Sequence, residues 1–368
     1  MSVILKPRAE KKLETADLPL SDQELQGKIS ERISQQPTAE SDTSDILLTV
    51  SGLKMHFPVH GGAPFSKPEY VKAVDGVSFG IKKGETLGIV GESGSGKSTV
   101  GNCVMGNYKV TEGSIIYDGD DITRMNKAEK RKLHRRLQMI TQNPYSSLNP
   151  RMTIHEIIME GPRIQKTAGT QEEQFETTAQ MLEMVGLNPE FANRYPHEFS
   201  GGQRQRISIA RALALNPSFI ICDEIVSALD VSIQAQIVGL MMKLQEELEL
   251  TYIFIGHDLS VVRHISNQVA VMYLGKLMEL TSSDELYENP LHPYTQALIS
   301  AAPIPNPTVD RARSRILLSG DIPSPIHPPE GCNFCTRCKY ADERCCKEEP
   351  PFKDVGGGHY VACHRVTD

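Results

Sequence analysis

The sequence predicts an α/β fold built around a parallel sheet, and two observations lead there. First, "ISIARALAL" (helix), "SFIICDE" (strand), "IVGLMMKLQEELEL" (helix) and "TYIFIGHD" (strand) follow one another, the alternation expected of consecutive βα units. Second, the short apolar strand "ETLGIV" runs straight into "GESGSGKSTVGN", with glycines at 91, 94 and 96 before Lys97. An ordinary strand-to-helix turn needs fewer glycines.

The remaining elements follow in order. From "ILLTVSGLKMHF" to "AVDGVSFGI", β-branched residues and glycine turns predict strands. Residues 151 to 200 carry helical spacing in "TIHEIIMEGPRI" and "FETTAQMLEMVGL" and little strand signal, so a helical subdomain is expected over about 143–200. Residues 1–45 are polar and predict a flexible extension. One short helix is expected within it, where Ser21 and Glu24 form a capping box and Leu25, Ile29 and Ile33 recur. The plan is thus an extension (1–45), a main domain (46–303), and a Pro-rich arm with a cysteine-rich region (304–368).

Composition narrows the function classes. The 368 residues are 39% hydrophobic and 23% charged with a formal net charge of -7, an ordinary globular balance that disfavours nucleic acid as main partner. No apolar run approaches the roughly 20 residues that span a bilayer, and "MSVILKPRAEKK" lacks the order of a signal peptide, so a cytosolic chain is expected.

Gly91, Gly94, Gly96, Lys97 and Ser98 fit G-x-x-x-x-G-K-S between a predicted strand and a predicted helix. Glycines let backbone N–H groups converge on phosphate oxygens, and the following helix adds the partial positive charge of its N-terminus. The nucleotide-binding stretch is read as Gly91, Ser93, Gly94, Ser95, Gly96, Lys97, Ser98 and Thr99, with Lys97 on the β- and γ-phosphates and Ser98 on Mg²⁺. "SFIICDE" then ends a buried strand in two carboxylates: Asp223 is expected near the Mg²⁺ water shell and Glu224 beside the γ-phosphate as general base.

At "EFSGGQRQRISIARAL", Ser200, Gly201, Gly202 and Gln203 open a helix with a hydroxyl, two glycines and free N–H groups, a second phosphate-binding arrangement. With the phosphate loop and "CDE", this resembles the signature of ATP-binding cassette (ABC) ATPases, with Phe199 where leucine is more usual. The resemblance covers roughly 46–303 and implies a P-loop NTPase with a RecA-like core, a helical subdomain, and two ATPs sandwiched between paired cassettes. It further implies that Gln142 contacts Mg²⁺ and water, that His257 holds the γ-phosphate, and that Ser227, Ala228, Leu229 and Asp230 communicate across the dimer. Phe57 is the implied adenine-stacking residue, with Tyr70 its rival. Ile225 follows Glu224 where proline is common. Neither half-site contributed by the chain is expected to be degenerate.

The end of the chain refines the resemblance. "YENPLHPYTQALISAAP", "IPSPIHPPEGCNFCTRCKYADERC" and "YVACH" are similar to the tails of ATPase subunits in oligopeptide/dipeptide and nickel importers, and "NPYSSLNPRMTI" leans towards the F-type subunit. That family implies a second, non-identical ATPase subunit, two permease subunits, an extracytoplasmic substrate-binding protein and a place on the cytoplasmic face of the membrane. Peptides are the expected cargo, with nickel or another small solute as alternative. A soluble ABC ATPase acting on nucleic acid or ribosomes is the rival class, but "ADERCCKEEPPFKD" mixes charges instead of forming a basic stripe.

Six of eight cysteines lie between 332 and 363. Cys332-x5-Cys338-x6-Cys345-x17-Cys363 supplies four thiolates, enough for a [4Fe–4S] cluster or tetrahedral zinc. The family resemblance implies iron–sulfur, with zinc as alternative. Cys335 and Cys346 are left as spares, since Asp342 stands where a ferredoxin-type fourth cysteine would fall. Cys103 and Cys222 are expected in the core.

Overall fold

The computed structural model describes residues 45–59, 68–302 and 315–367. Residues 1–44 of the predicted N-terminal extension, with its short helix, and residues 303–314 of the Pro-rich arm lie outside the described residues. The described residues begin with two long antiparallel strands, β1 (Ile46–Pro58) and β2 (Tyr70–Lys82), followed by β3 (Thr86–Val90), α1 (Lys97–Val104), β4 (Glu112–Tyr117) and β5 (Asp120–Asp121). Then come α2 (Lys127–Arg136), β6 (Leu137–Ile140) and a run of helices: α3 (Pro144–Ser147), α4 (Ile154–Ile164), α5 (Gln171–Met184) and α6 (Gly201–Leu213). Regular alternation resumes with β7 (Phe219–Asp223), α7 (Val231–Leu248), β8 (Thr251–Ile255), α8 (Leu259–Ile265), β9 (Gln268–Tyr273) and β10 (Lys276–Ser282). The chain closes with α9 (Ser283–Glu288), α10 (Pro293–Ala301), α11 (Glu343–Lys347), β11 (Lys353–Asp354), β12 (Tyr360–Val361) and α12 (His364–Thr367).

Two sheets result. An antiparallel sheet has the order β2-β1-β4-β5, and a larger one the order β11-β12-β10-β9-β3-β8-β7-β6. Within the larger sheet β3 runs parallel to β8 and β9, and β7 parallel to β6 and β8. All five residues of β3, of β7 and of β8 are buried, which is why these strands read as continuous apolar runs instead of alternating ones. One apolar cluster lies between the two sheets around α1, and the other joins the larger sheet to the helices of 154–213. Cys103 and Cys222 are both in these cores.

The predicted helices of the 151–200 stretch are present as α4 and α5, each opened by a threonine capping box: Thr153 with Glu156, and Thr170 with Glu173. The cysteine-rich region, expected as a tail after the Pro-rich arm, contributes β11 and β12 to the edge of the larger sheet. β12 pairs antiparallel with β10. Phe334, 1% exposed, packs among Tyr273, Tyr294 and His292. Two-residue strands carry no readable period, so the sequence pattern could not announce them.

The anchor of this junction is Glu279 on β10, fully buried. Its carboxylate accepts from His359 Nε2 at 2.6 Å and from the backbone N–H groups of Leu291 at 2.8 Å and His292 at 3.0 Å. Burial alone would raise its pKa, but the His359 hydrogen bond and charge and the Leu291 N–H outweigh it, and the net shift is downward. A depressed carboxylate contributes stability that is complete above its unfolded value and lost as pH falls through its folded value. Glu279→Gln is therefore expected to cost about 3–5 kcal/mol near neutral pH, read by chemical denaturation. The wild type should lose part of this stability on acidification below the usual glutamate value of 4.5.

Candidate active site

The site forms where the parallel strands β3, β7 and β8 end. After β3 the chain curls through Gly91 (φ 152°), Gly94 (φ 78°) and Gly96 (φ 103°). A Cβ on Gly91 would lie 2.1 Å from the Met272 carbonyl oxygen, and one on Gly96 2.2 Å from that of Ala73, so both positions exclude side chains on space as well as on φ. α1 then opens at Lys97 with no side chain capping its first turn, leaving backbone N–H groups for an anion.

Lys97 is buried, and its ammonium donates to the carbonyls of Gly91 at 2.9 Å and Glu92 at 3.0 Å. Desolvation lowers its pKa, with Glu224, Asp223 and Glu92 pulling the other way. Those three carboxylates are therefore within electrostatic reach of the ammonium. The Ser98 hydroxyl donates to Asp223 Oδ1 at 2.8 Å. Burial raises the Asp223 pKa, an effect the Ser98 hydrogen bond partly offsets. Side by side, a hydroxyl and a carboxylate are the hard oxygen donors that suit Mg²⁺, so the donor set fits the expected ion.

Glu224 follows directly. Its backbone is in the left-handed region (φ 50°), its N–H is tied to the Ile255 carbonyl at 3.0 Å, and Ile225 beyond it is buried. Gln142 Nε2 donates to Glu224 Oε2 at 2.6 Å, and His257 Nδ1 stands 3.9 Å from the same oxygen. Glu224, Ser227 and His257 share one small cleft with Gln234.

The other expected residues fall into two groups. Ser200 is exposed and caps α6 through Gln203 N–H at 3.4 Å, while Gln203 Oε1 accepts from Ser200 N–H at 3.0 Å. No hydrogen bond or ion pair joins this quartet to the phosphate loop among the described residues. It touches the loop after Glu224 instead. A Cβ on Gly202 would meet Ile233 at 2.6 Å, and Gly201 lies against Leu229. Ser227 bonds back to the Glu224 carbonyl through its hydroxyl at 2.9 Å, and Ala228 and Asp230 are exposed. Phe57 sits near the end of β1 with its ring edge-to-face on Tyr108, centroids 5.3 Å apart, while its rival Tyr70 is paired with Pro58 and 45% exposed.

Sequence reasoning missed several side chains. Gln234 donates to the carbonyls of Val226 and Leu229 at 3.0 and 2.9 Å, fixing the loop after Glu224. Tyr294 Oη accepts from the Glu92 N–H at 2.9 Å, and Arg337 forms a two-pronged pair with the Glu92 carboxylate at 2.7 and 3.2 Å. No spacing rule reaches partners 245 residues apart.

The four expected cysteine ligands Cys332, Cys338, Cys345 and Cys363 line a single cleft with Cys335, Phe334, Tyr340 and Arg365. Burial pushes the Cys332 and Cys363 thiols up to about 12, and raises those of Cys338 and Cys345. No three His, Cys, Asp or Glu side chains stand at metal-holding distances among the described residues. The four thiols face a common space without closing on it. Asp342 caps α11 by accepting from the Cys345 N–H at 2.8 Å.

Among the described residues no helix is long and apolar enough to cross a membrane. Residues 74–227 match the family described as ABC transporter, and residues 278–345 the family described as oligopeptide/dipeptide transporter, C-terminal region. The chain is 56% identical over 321 residues to the oligopeptide transport ATP-binding protein AppF of Bacillus subtilis, covering 87% of this chain and 97% of that one. It is 51% identical over 328 residues to the oligopeptide transport ATP-binding protein OppF of Haemophilus influenzae, covering 89% and 99%. Its fold matches a dimeric ATP-binding cassette in a post-hydrolysis state bound to ADP and phosphate, with a TM-score of 0.57 and 30% identity over 64% of this chain and 98% of that one. Phosphate loop, paired carboxylates and C-terminal region thus agree: the chain is an ATP-hydrolysing subunit belonging to the ABC transporter family, in its oligopeptide/dipeptide branch.

Proposed function

We propose that the chain powers import of di- and oligopeptides through a membrane ABC transporter. The observation that carries this reading is the convergence of Lys97, the Ser98–Asp223 pair and the Gln142–Glu224–His257 group at one end of the sheet. In this reading ATP draws Lys97 from its two carbonyl partners to the phosphate oxygens, and loop N–H groups from Gly91 to Thr99 cradle them. Mg²⁺, held by Ser98, Asp223 and Gln142, supplies charge neutralisation at the phosphates. Glu224 accepts a proton from the attacking water, Gln142 orients its carboxylate, and His257 holds the γ-phosphate. Phe57 stacks on adenine.

Ser200, exposed at the head of α6, and Gly201–Gln203 beside it, with no hydrogen bond to the chain's own phosphate loop among the described residues, serve the nucleotide of a second, homologous ATPase subunit, and residues 227–230 report across that interface. The pair works two permease subunits through the region from Gln142 to Ser200, with a substrate-binding protein on the far side and this subunit peripheral on the cytoplasmic face. The functional units are those read from the sequence: 1–45, 46–303 and 304–368. Cys332, Cys338, Cys345 and Cys363, which share one cleft, hold a structural [4Fe–4S] cluster, zinc being the alternative.

Purifying the tagged chain from gently solubilised membranes tests the assembly. Two permeases and a second cassette are expected to accompany it. Recovery with ribosomal or nucleic-acid partners alone would overturn the reading.

A further inference from the structure

Residues between 274 and 337 hold the phosphate loop at three points, one of them the Arg337 side chain of the cysteine-rich region. Arg337 Nη1 and Nη2 donate to Glu92 Oε2 and Oε1 at 2.7 and 3.2 Å, with side chains only 9% and 26% exposed. Tyr294 Oη accepts from the backbone N–H of the same Glu92 at 2.9 Å. Asn333 Nδ2 donates to the Leu274 carbonyl at 2.8 Å, and the next residue, Gly275, donates to the Ser95 carbonyl at 3.0 Å. Ser95 and Glu92 thus lie on the loop that carries Lys97, and every anchor comes from residues 274–337. Nothing in a phosphate loop's own geometry requires such a brace.

Charge explains why one is needed. Glu92 places a carboxylate in a loop whose ligand is a polyanion, within electrostatic reach of the Lys97 ammonium. Left alone it would compete with phosphate for Lys97 and repel the nucleotide. A planar guanidinium meeting both carboxylate oxygens cancels that charge and fixes its position, which an ammonium does less well. Tyr273 lines the other side of Arg337, its Oη accepting at 3.4 Å.

We propose that Arg337 is a positioning residue for nucleotide binding: by neutralising and pinning Glu92 it makes the phosphate loop's affinity depend on the docked cysteine-rich region. Coupling of this kind is reciprocal, so nucleotide should tighten the region in turn. The inference rests on reading residues 91–99 as the nucleotide site.

Titration calorimetry of the full-length chain with Mg-ADP provides the test. Arg337→Met should weaken Kd about tenfold, and Arg337→Lys, which keeps the charge but not the fork, about threefold. Glu92→Gln placed on Arg337→Met removes the uncompensated carboxylate and should bring Kd back to within about threefold of wild type, a recovery that mere damage to the tail cannot produce. An Arg337→Met Kd within about twofold of wild type overturns the proposal, and so does a double variant as weak as the single. Should Arg337→Met alone not fold, Arg337→Lys is decisive, and a Kd for it equal to wild type overturns the proposal. Lys97→Ala separates the two levels: undiminished binding there removes the nucleotide-site reading itself, whereas its loss beside a normal Arg337→Met removes only the brace.

Discussion

Glu224→Gln is expected to slow ATP turnover by the complete transporter about 10²–10⁴-fold while leaving equilibrium binding of Mg-ATP nearly unchanged. The substitution preserves shape and the side-chain carbonyl that accepts from Gln142 Nε2 at 2.6 Å. Nor does it disturb the left-handed backbone at this position, which glutamine meets as glutamate does. What disappears is the acceptor for the water proton. Binding should be spared because the proposed site assigns phosphates and metal to Lys97 and the Ser98–Asp223 pair, whose own hydrogen bonds do not involve Glu224. Mixed with the purified partner ATPase subunit, the variant should therefore accumulate as an ATP-bound pair of cassettes, seen as a larger species on gel filtration only when ATP is present. Phosphate release at the wild-type rate would remove Glu224 from the role of base.

The local parts of this site were legible because the constraint on each residue is local. Gly91 and Gly96 must be glycines to clear the carbonyls of Met272 and Ala73, and a strand-loop-helix signature encodes that need over eight positions. Asp223 and Glu224 were legible for a related reason: a parallel strand delivers whatever follows it to the sheet edge where the ligand binds. The paired grip on Glu92 was not legible, since Tyr294 and Arg337 lie in sequence far beyond any period or motif that includes the loop. Nor was the docking of the cysteine-rich region, which depends on two-residue strands and on one buried carboxylate, Glu279, satisfied by His359 and two backbone N–H groups. Asp342 looked like a missing ligand in a ferredoxin-type run and turns out to hold the Cys345 N–H. For Glu92 and Glu279 the decisive partner is close in space and remote in sequence.

The second large effect is expected at Cys363. Purified anaerobically, the wild-type chain should carry about four iron atoms and as many sulfides with broad visible absorption, and Cys363→Ser should fall below about one. The asymmetry of the cleft makes this residue the sharpest probe. Cys332, Cys338 and Cys345 come from one stretch in which Asp342 orients Cys345, and the Cys332 N–H donates to the Cys345 carbonyl at 2.8 Å. Cys363 alone arrives from the other side, next to Ala362, whose N–H is bonded to the Met278 carbonyl of β10. A group bound to all four would tie the loop to the sheet edge, so losing Cys363 removes both a ligand and a cross-link. Cys346→Ser should retain full metal content, because Cys346 is exposed and does not line the cleft. Elemental analysis separates the two chemistries: one zinc per chain without sulfide would replace the cluster by a tetrahedral site on the same thiolates. A wild-type chain without metal, or a Cys363→Ser variant with its full complement, would instead leave these cysteines as buried and half-buried thiols whose work is packing.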